Sequence, residues 1–460
     1  MSRLARFTTI AAAVFLASGV VVLATCTCVL PGSGGGAPLP GPEGREPVTG
    51  ANVWVDRNGG ACARSRDSRE YEDAAACASF EAAYAVASCG DLVVVKAGRY
   101  SGQLLTYSSG KGDACEGSPV TMEAEPGETV TLAATSVDAK SLQVGQESLL
   151  GARDLTFRGF SLAGAVYLYP GARRITLEGL TGRSFFLRCA HFVTLRGNTW
   201  TDPQATSVPT ISSAWTIGIP SGAEDVCGST GAPSTEILIE NDRFFRIWRP
   251  RGDTSSHREC LHIMGADGLT IRNSRFHECL GNTAAISLNV HGGSRIENTV
   301  IEGNSIWKTY SAGAHPQPTG EGPAFNIGGG DCDQNIEALI RFNTLHLTGG
   351  VAALACPTGD GILFDSNLWL RSALPCSGRQ TDYTWRYNIV ESGTWGALCD
   401  DVGNRVGFTR VEDRANGDLR LASGSFAVGK GNPTAHPPSD LFGTIRPRGS
   451  APDVGFHEKE

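Results

Sequence analysis

Seven segments of the chain repeat one pattern, and that repeat limits the fold more than any single residue does. They lie at 155–162, 175–180, 193–200, 237–244, 269–276, 338–345 and 362–369. In each, apolar residues alternate with polar ones, an Asn, Gly or Ser interrupts, and another apolar residue follows. Looser copies occupy 300–306 and 383–390. Gly159 to Gly179 is 20 residues, Asn343 to Asn367 is 24 and Asn367 to Asn388 is 21. A repeat of about 20 residues with strand-like alternation is the mark of a solenoid of stacked β-coils. The alternation places Ile, Leu, Val and Phe inside and Thr, Arg and Glu outside. Asn or Gly is expected at the sharp bend between strands, because both tolerate left-handed backbone angles. An Asn at the same place in successive coils can also join a hydrogen-bonded ladder, which buries its amide with partners. The wider intervals, 43 residues from Asn198 to Asn241 and 39 from Asn304 to Asn343, mark coils that carry inserted loops. Loops on one face of a solenoid often form its binding face.

Two further stretches extend the pattern. Val-Trp-Val-Asp-Arg-Asn-Gly-Gly fills 53–60, and Gly-Asp-Leu-Val-Val-Val-Lys-Ala-Gly-Arg-Tyr fills 90–100. Near the end, 424–431, 440–447 and 451–458 form a Gly- and Pro-rich closing segment. With these and the repeats, the chain resembles the right-handed parallel β-helix superfamily, the pectate-lyase-like fold, in a bacterial secreted form. The resemblance runs from about residue 51 to 458. It implies an all-β fold, a right-handed parallel β-helix solenoid with an N-terminal capping helix and inserted loops. The expected divisions are a cap and first coils over 51–125, central coils over 126–410 and a closing segment over 411–460. Many functions share this fold, so activity has to be argued from residues.

The chain has 460 residues and 58 glycines, in keeping with many tight turns. Its net charge of −8 argues against a nucleic-acid partner, which would favour a basic surface. No phosphate loop, dinucleotide fingerprint or zinc-finger spacing occurs. Arg3 and Arg6 precede an apolar run over 7–24, which reads as an export signal over 1–25. Plain secretion ranks first. A lipid anchor ranks second, since Leu-Ala-Thr-Cys at 23–26 is similar to a lipoprotein cleavage box but departs from it at Thr25. An uncleaved membrane anchor ranks third, at the lower length limit for a span. Residues 26–50 read as a flexible Gly/Pro linker. The folded part is expected to be a monomer.

Fourteen cysteines fit an exported protein. Setting aside Cys26 and Cys28, the other twelve are expected to pair as Cys62–Cys77, Cys89–Cys115, Cys189–Cys227, Cys260–Cys279, Cys332–Cys356 and Cys376–Cys399. Sequence alone does not fix this connectivity. Each such link would contribute roughly 2–4 kcal/mol.

In enzymes of the resembled fold, substrate usually lies along one parallel sheet, and outward side chains of neighbouring coils converge on it. The candidate strands here are 216–219, 261–264, 286–291, 325–327 and 351–354. With Leu261, Ile263, Ile286, Leu288 and Val290 inward, alternation turns His262, Ser287, Asn289, His291 and Asn326 outward. The expected polar stripe is His262, then Asn289 or His291, then Asn326. Arg251, His257, Arg258 and Glu259 lead into it. A His near neutral pH can act as general base, and an Arg can pair bidentately with a uronate carboxylate. Catalytic candidates are therefore His262, His257, Glu259 and His291. Substrate-binding candidates are Arg251, Arg258, Asn289 and Asn326. The competing reading has His257 and Glu259 capping turns between coils. His277 falls outside the candidate sheet and reads as structural. No cofactor is required by the sequence. Asp331 and Asp333 are candidates for a hard cation such as calcium, and a solvated turn is the plainer reading.

These parts suit a lyase on uronic-acid polysaccharide. The motif sets of bacterial polygalacturonases and the Trp-Ile-Asp-His signature of pectate lyases are absent. Lys308 is the only lysine between Lys140 and Lys430, so a lyase base here would be His or Arg. The alternative is a non-catalytic cell-surface protein that binds glycan or serves as a structural rod. Exposure of Trp200, Trp215, Trp248 and Trp307 separates the readings, since sugars stack on exposed rings.

Overall fold

The computed structural model describes residues 50–106, 111–134, 140–146, 151–201, 215–217, 233–247, 259–279, 284–290, 295–307, 322–329, 336–349, 351–353, 361–372, 383–391 and 402–459. All belong to the unit Pro40–Glu460. The export segment and most of the linker lie outside them.

Among the described residues the strands form three long parallel sheets. Sheet A has twelve strands, from Val53–Val55 to Thr384–Arg386. Sheet B has nine, from Gln103–Leu105 to Val351–Ala353. Sheet C has twelve, from Gly98–Tyr100 to Arg405–Val406. Each coil visits A, then C, then B. Arg153–Arg158, Ser161–Leu162 and Ala165–Leu168 make one such turn, and Arg173–Glu178 begins the next. The inward rows merge into one continuous core of Val, Ile, Leu and Phe, with stacked pairs such as Phe244–Phe276 at 4.7 Å and Phe364–Trp385 at 4.3 Å. No coil could bury its apolar face alone; neighbours bury it for one another.

The corner from A to C is two residues long from Gly159-Phe160 through Tyr387-Asn388. Its first residue always has a positive φ: Gly159, Gly179, Gly197, Asn241, Asn273, Gly303, Phe342, Ser366 and Tyr387. Its second residue carries the ladder. The backbone N–H of Asn304 donates to Oδ1 of Asn343 (3.0 Å), that of Asn343 to Asn367 (3.0 Å) and that of Asn367 to Asn388 (2.9 Å). The bend and the ladder are thus adjacent positions, whereas the repeat pattern alone merges them into one.

On the outward face of sheet A, Glu123, Arg158, Glu178, Arg196, Glu240, Arg272, Glu302, Arg341, Asp365 and Arg386 lie side by side in register with strictly alternating charge. Arg158 bridges Glu123 (3.1 Å) and Glu178 (3.0 Å). Burial alone would raise the Glu240 carboxyl, but hydrogen bonds from Arg272 and Arg196 outweigh it and hold Glu240 below its ordinary value.

The ends agree with the resemblance. Helix Phe80–Val86 is N-capped by Ser79, whose side chain accepts from the Ala82 N–H. It packs Phe80 against Phe160 at 5.3 Å, at the start of the core. The closing segment covers the outward side of the last sheet C strands. Leu419, Leu421, Leu441 and Phe456 cluster there with Leu368, Leu370 and Ile389. Buried Arg446 donates to the carbonyls of Asp453 (2.9 Å) and Gly455 (2.7 Å), which fixes the final turn.

The disulfides Cys62–Cys77, Cys89–Cys115 and Cys260–Cys279 form as expected. Cys189 is also disulfide-bonded. Cys227, Cys332, Cys356, Cys376 and Cys399, the other members of the three remaining expected pairs, lie outside the described residues.

Candidate functional site

The constant A–C corner contrasts with the two flanks of sheet B. From Thr201 onward, several connections entering and leaving sheet B lengthen, for example between Thr201 and Trp215, Ile217 and Ser234, Ile247 and Leu261, and Trp307 and Phe325, while Ile263 to Ala266 stays short. Variable insertions beside one sheet of a rigid solenoid single that sheet out as the functional face.

The five strands expected to line the site are neighbours in sheet B: Trp215–Ile217, Leu261–Ile263, Ile286–Val290, Phe325–Gly329 and Val351–Ala353. Register places His262 beside Ser287 and Ser287 beside Asn326. The middle member of the stripe is therefore Ser287. Asn289 lies two residues further along the same face, opposite Gly328. The Asn326 amide nitrogen donates to the Ser287 hydroxyl at 3.4 Å. The outward row is nearly fully covered: His262 is 6% exposed, Ser287 1%, Asn289 7% and Asn326 1%. The Oδ1 atoms of Asn289 and Asn326 are buried and accept no hydrogen bond among the described residues. Such acceptors are costly unless a donor reaches them.

Glu259 is buried beside Cys260. The Cys260–Cys279 disulfide ties the residue before the His262 strand to the end of sheet C strand Arg275–Cys279. His257, His291, Arg251 and Arg258 lie outside the described residues, as do Asp331 and Asp333. Among the described residues no three His, Cys, Asp or Glu are grouped to hold a metal ion. His277 is outside sheet B, as expected, and stacks on Trp307 at 3.9 Å. Trp200 is fully buried and donates from Nε1 to Asp242 (2.8 Å), so it is a core residue and not a sugar platform. Trp248 and the side chain of Trp215 lie outside the described residues.

The row continues beyond the expected stripe. Upstream of His262 the register runs Leu104, Gln143, Tyr167, Phe186, Thr216, His262. Tyr167 stacks on Phe186 at 4.5 Å and on Tyr169 at 5.8 Å. Lys140 sits over Tyr169 and Tyr167 at 4.6 and 5.2 Å, and Arg188 over the same two rings at 5.7 and 5.6 Å. The repeat pattern does not point to these residues, because it is strongest on sheet A. The signal was an aromatic at the outward place of 165–168 and of 184–187.

Three parallel sheets, a two-residue ladder corner and capped ends define the class: a right-handed parallel β-helix protein. No protein-family model and no curated protein matches the sequence. Similar solved structures include the pectate lyase Pel9A, 14% identical over 89% of this chain and 96% of that one, with a TM-score of 0.49. The Streptococcus pneumoniae surface protein and adhesin PfbA is 12% identical over 69% and 83%, with a TM-score of 0.44. An alginate lyase from Paenibacillus sp. str. FPU-7 is 14% identical over 71% and 96%, with a TM-score of 0.42. At these values the likeness concerns fold and carries nothing about activity. The class rests on this chain's own strand registers.

Proposed function

We propose that this is an exported β-helix protein that binds an acidic polysaccharide along the outward row of sheet B and cleaves it by β-elimination. The observation that carries the reading is the in-register row itself, where His262, Ser287 and Asn326 meet and where buried amide oxygens of Asn289 and Asn326 accept no hydrogen bond among the described residues. Sugar hydroxyls are donors that would satisfy them. Disulfides favour an oxidising, extracellular destination.

In the proposed reaction His262 takes the proton from the carbon beside the uronate carboxylate. The electron pair left behind forms a carbon–carbon double bond as the bond to the leaving glycosidic oxygen breaks. That oxygen takes a proton from water, and His262 returns its own to solvent. Arg251 and Arg258 are proposed to neutralise the carboxylate, which stabilises the enolate-like intermediate. His257, Glu259 and His291 are the remaining acid–base candidates.

One observation favours a second reading. His262 and Asn326 are almost entirely covered. A surface protein that holds glycan without cleaving it needs no open catalytic groove. The test is ultraviolet absorbance of the new double bond, with oxidised protein on polygalacturonate, alginate and other uronic-acid polymers. Absorbance that rises with the parent protein and not with His262→Ala supports the lyase. Retained binding without any rise on any polymer moves the binding reading to first place.

A further inference from the structure

We propose that Lys140, Tyr167, Phe186 and Arg188 form a second subsite on sheet B, a cationic aromatic column that holds a carboxylate-bearing sugar of the same chain. This rests on the proposed polysaccharide reading and names the part of the surface that selects acidic sugars.

The geometry is particular. Tyr167 and Phe186 are consecutive members of the row that ends in His262, Ser287 and Asn326. Three coil steps separate Tyr167 from His262, about 14 Å at the usual strand spacing. Lys140 comes from the coil before Tyr167 and Arg188 from the coil after it, and both cations reach the same two tyrosine rings. Lys140 is exposed, Tyr167, Phe186 and Arg188 are half-buried, and Lys140 has no carboxylate partner among the described residues.

Charge supports the assignment. The chain as a whole carries −8, and on sheet A acids and bases alternate and largely cancel. Lys140 and Arg188 converge on one aromatic column of the other sheet, and Lys140 brings to it a cation with no carboxylate partner among the described residues. An anionic sugar fits it better than a neutral one. A polymer bound there and at His262 would gain from having both sites on one rigid rod.

The test measures binding of oligogalacturonate and oligomannuronate to His262→Ala protein, so that no probe is cleaved. The expected result is measurable affinity that falls about tenfold, roughly 1.4 kcal/mol, in Lys140→Glu and is largely restored in Lys140→Arg. Affinity should fall with added salt, and fall again when the probe's carboxyls are reduced to alcohols. An unchanged melting temperature in Lys140→Glu shows that folding is not the cause. The proposal is overturned if Lys140→Glu binds as tightly as its parent, if reduced and acidic probes bind alike, or if neither probe binds. Because nothing here depends on turnover, a chain that binds through Lys140 but forms no double bond would refute the lyase and leave the subsite standing.

Discussion

At the residue scale, the ladder corner sets the strongest constraints. Asn343 accepts from the N–H and the amide of Asn304, and its own amide donates to Ile301 O (2.9 Å) and Asn367 Oδ1 (3.0 Å). Asn343→Ala removes hydrogen-bond partners from buried groups on both neighbouring coils, at Ile301 and Asn304 on one side and Asn367 on the other, and should cost about 2–4 kcal/mol in urea unfolding. Asp242 occupies the same column. Burial pushes its carboxyl up to about 7, against hydrogen bonds from Trp200 and Asn198 that favour the anion. The folded chain therefore binds more protons than the unfolded chain between the ordinary Asp value, about 4, and about 7. The Asp242 contribution to stability should fall as pH rises through that window and level off above it, by at most about 1.4 kcal/mol per pH unit, while His191, His346 and His457, lowered by burial, act in the opposite sense. Asp365 and Asp453 are raised by burial in the same sense as Asp242, so Asp242→Asn should move the slope of stability against pH in the positive direction and leave those other contributions in place. Equal slopes for the two proteins between pH 5 and 7.5 would refute the assignment to Asp242.

At the element scale, the alternating charges of sheet A favour one register, since shifting a strand by one coil sets like charges side by side. Glu240→Arg would place three cations in a row at Arg196, residue 240 and Arg272. Both arginine side chains are more than 40% exposed, so solvent screening keeps the expected loss near 1 kcal/mol, read as a lower melting temperature that partly recovers in high salt. Selective loss of Cys260–Cys279, by Cys260→Ser with Cys279→Ser, should lower stability by roughly 3 kcal/mol and loosen the entry to the His262 strand. How much was legible in the sequence follows from the same physics. The inward alternation of 155–162 or 362–369 is read directly, because each coil repeats one burial problem. The five sheet B strands were legible through Leu261, Ile263, Ile286 and Leu288 for the same reason. The choice of Ser287 over Asn289 was not, because register depends on which residues pair across coils joined by long insertions. The Tyr167–Phe186 column was not legible either, since its meaning lies in neighbours 19 residues apart in sequence and 4.5 Å apart in space.

At the scale of the whole molecule, the three sheets carry different tasks. Sheet A holds a cancelling charge ladder. The last strands of sheet C are covered by the closing segment. Sheet B carries the row from Tyr167 to Asn326, and the insertions flank it. The central claim is that this row is where acidic polysaccharide lies. Hydroxyl-radical footprinting in the presence and absence of oligogalacturonate or oligomannuronate tests it most directly, because Tyr and Phe side chains report their own accessibility. The account predicts protection of Tyr167 and Phe186 on sheet B, with Phe192 and Phe408, 43% and 67% exposed elsewhere, oxidised as before. Protection of Phe192 or Phe408 with Tyr167 and Phe186 unchanged would contradict it.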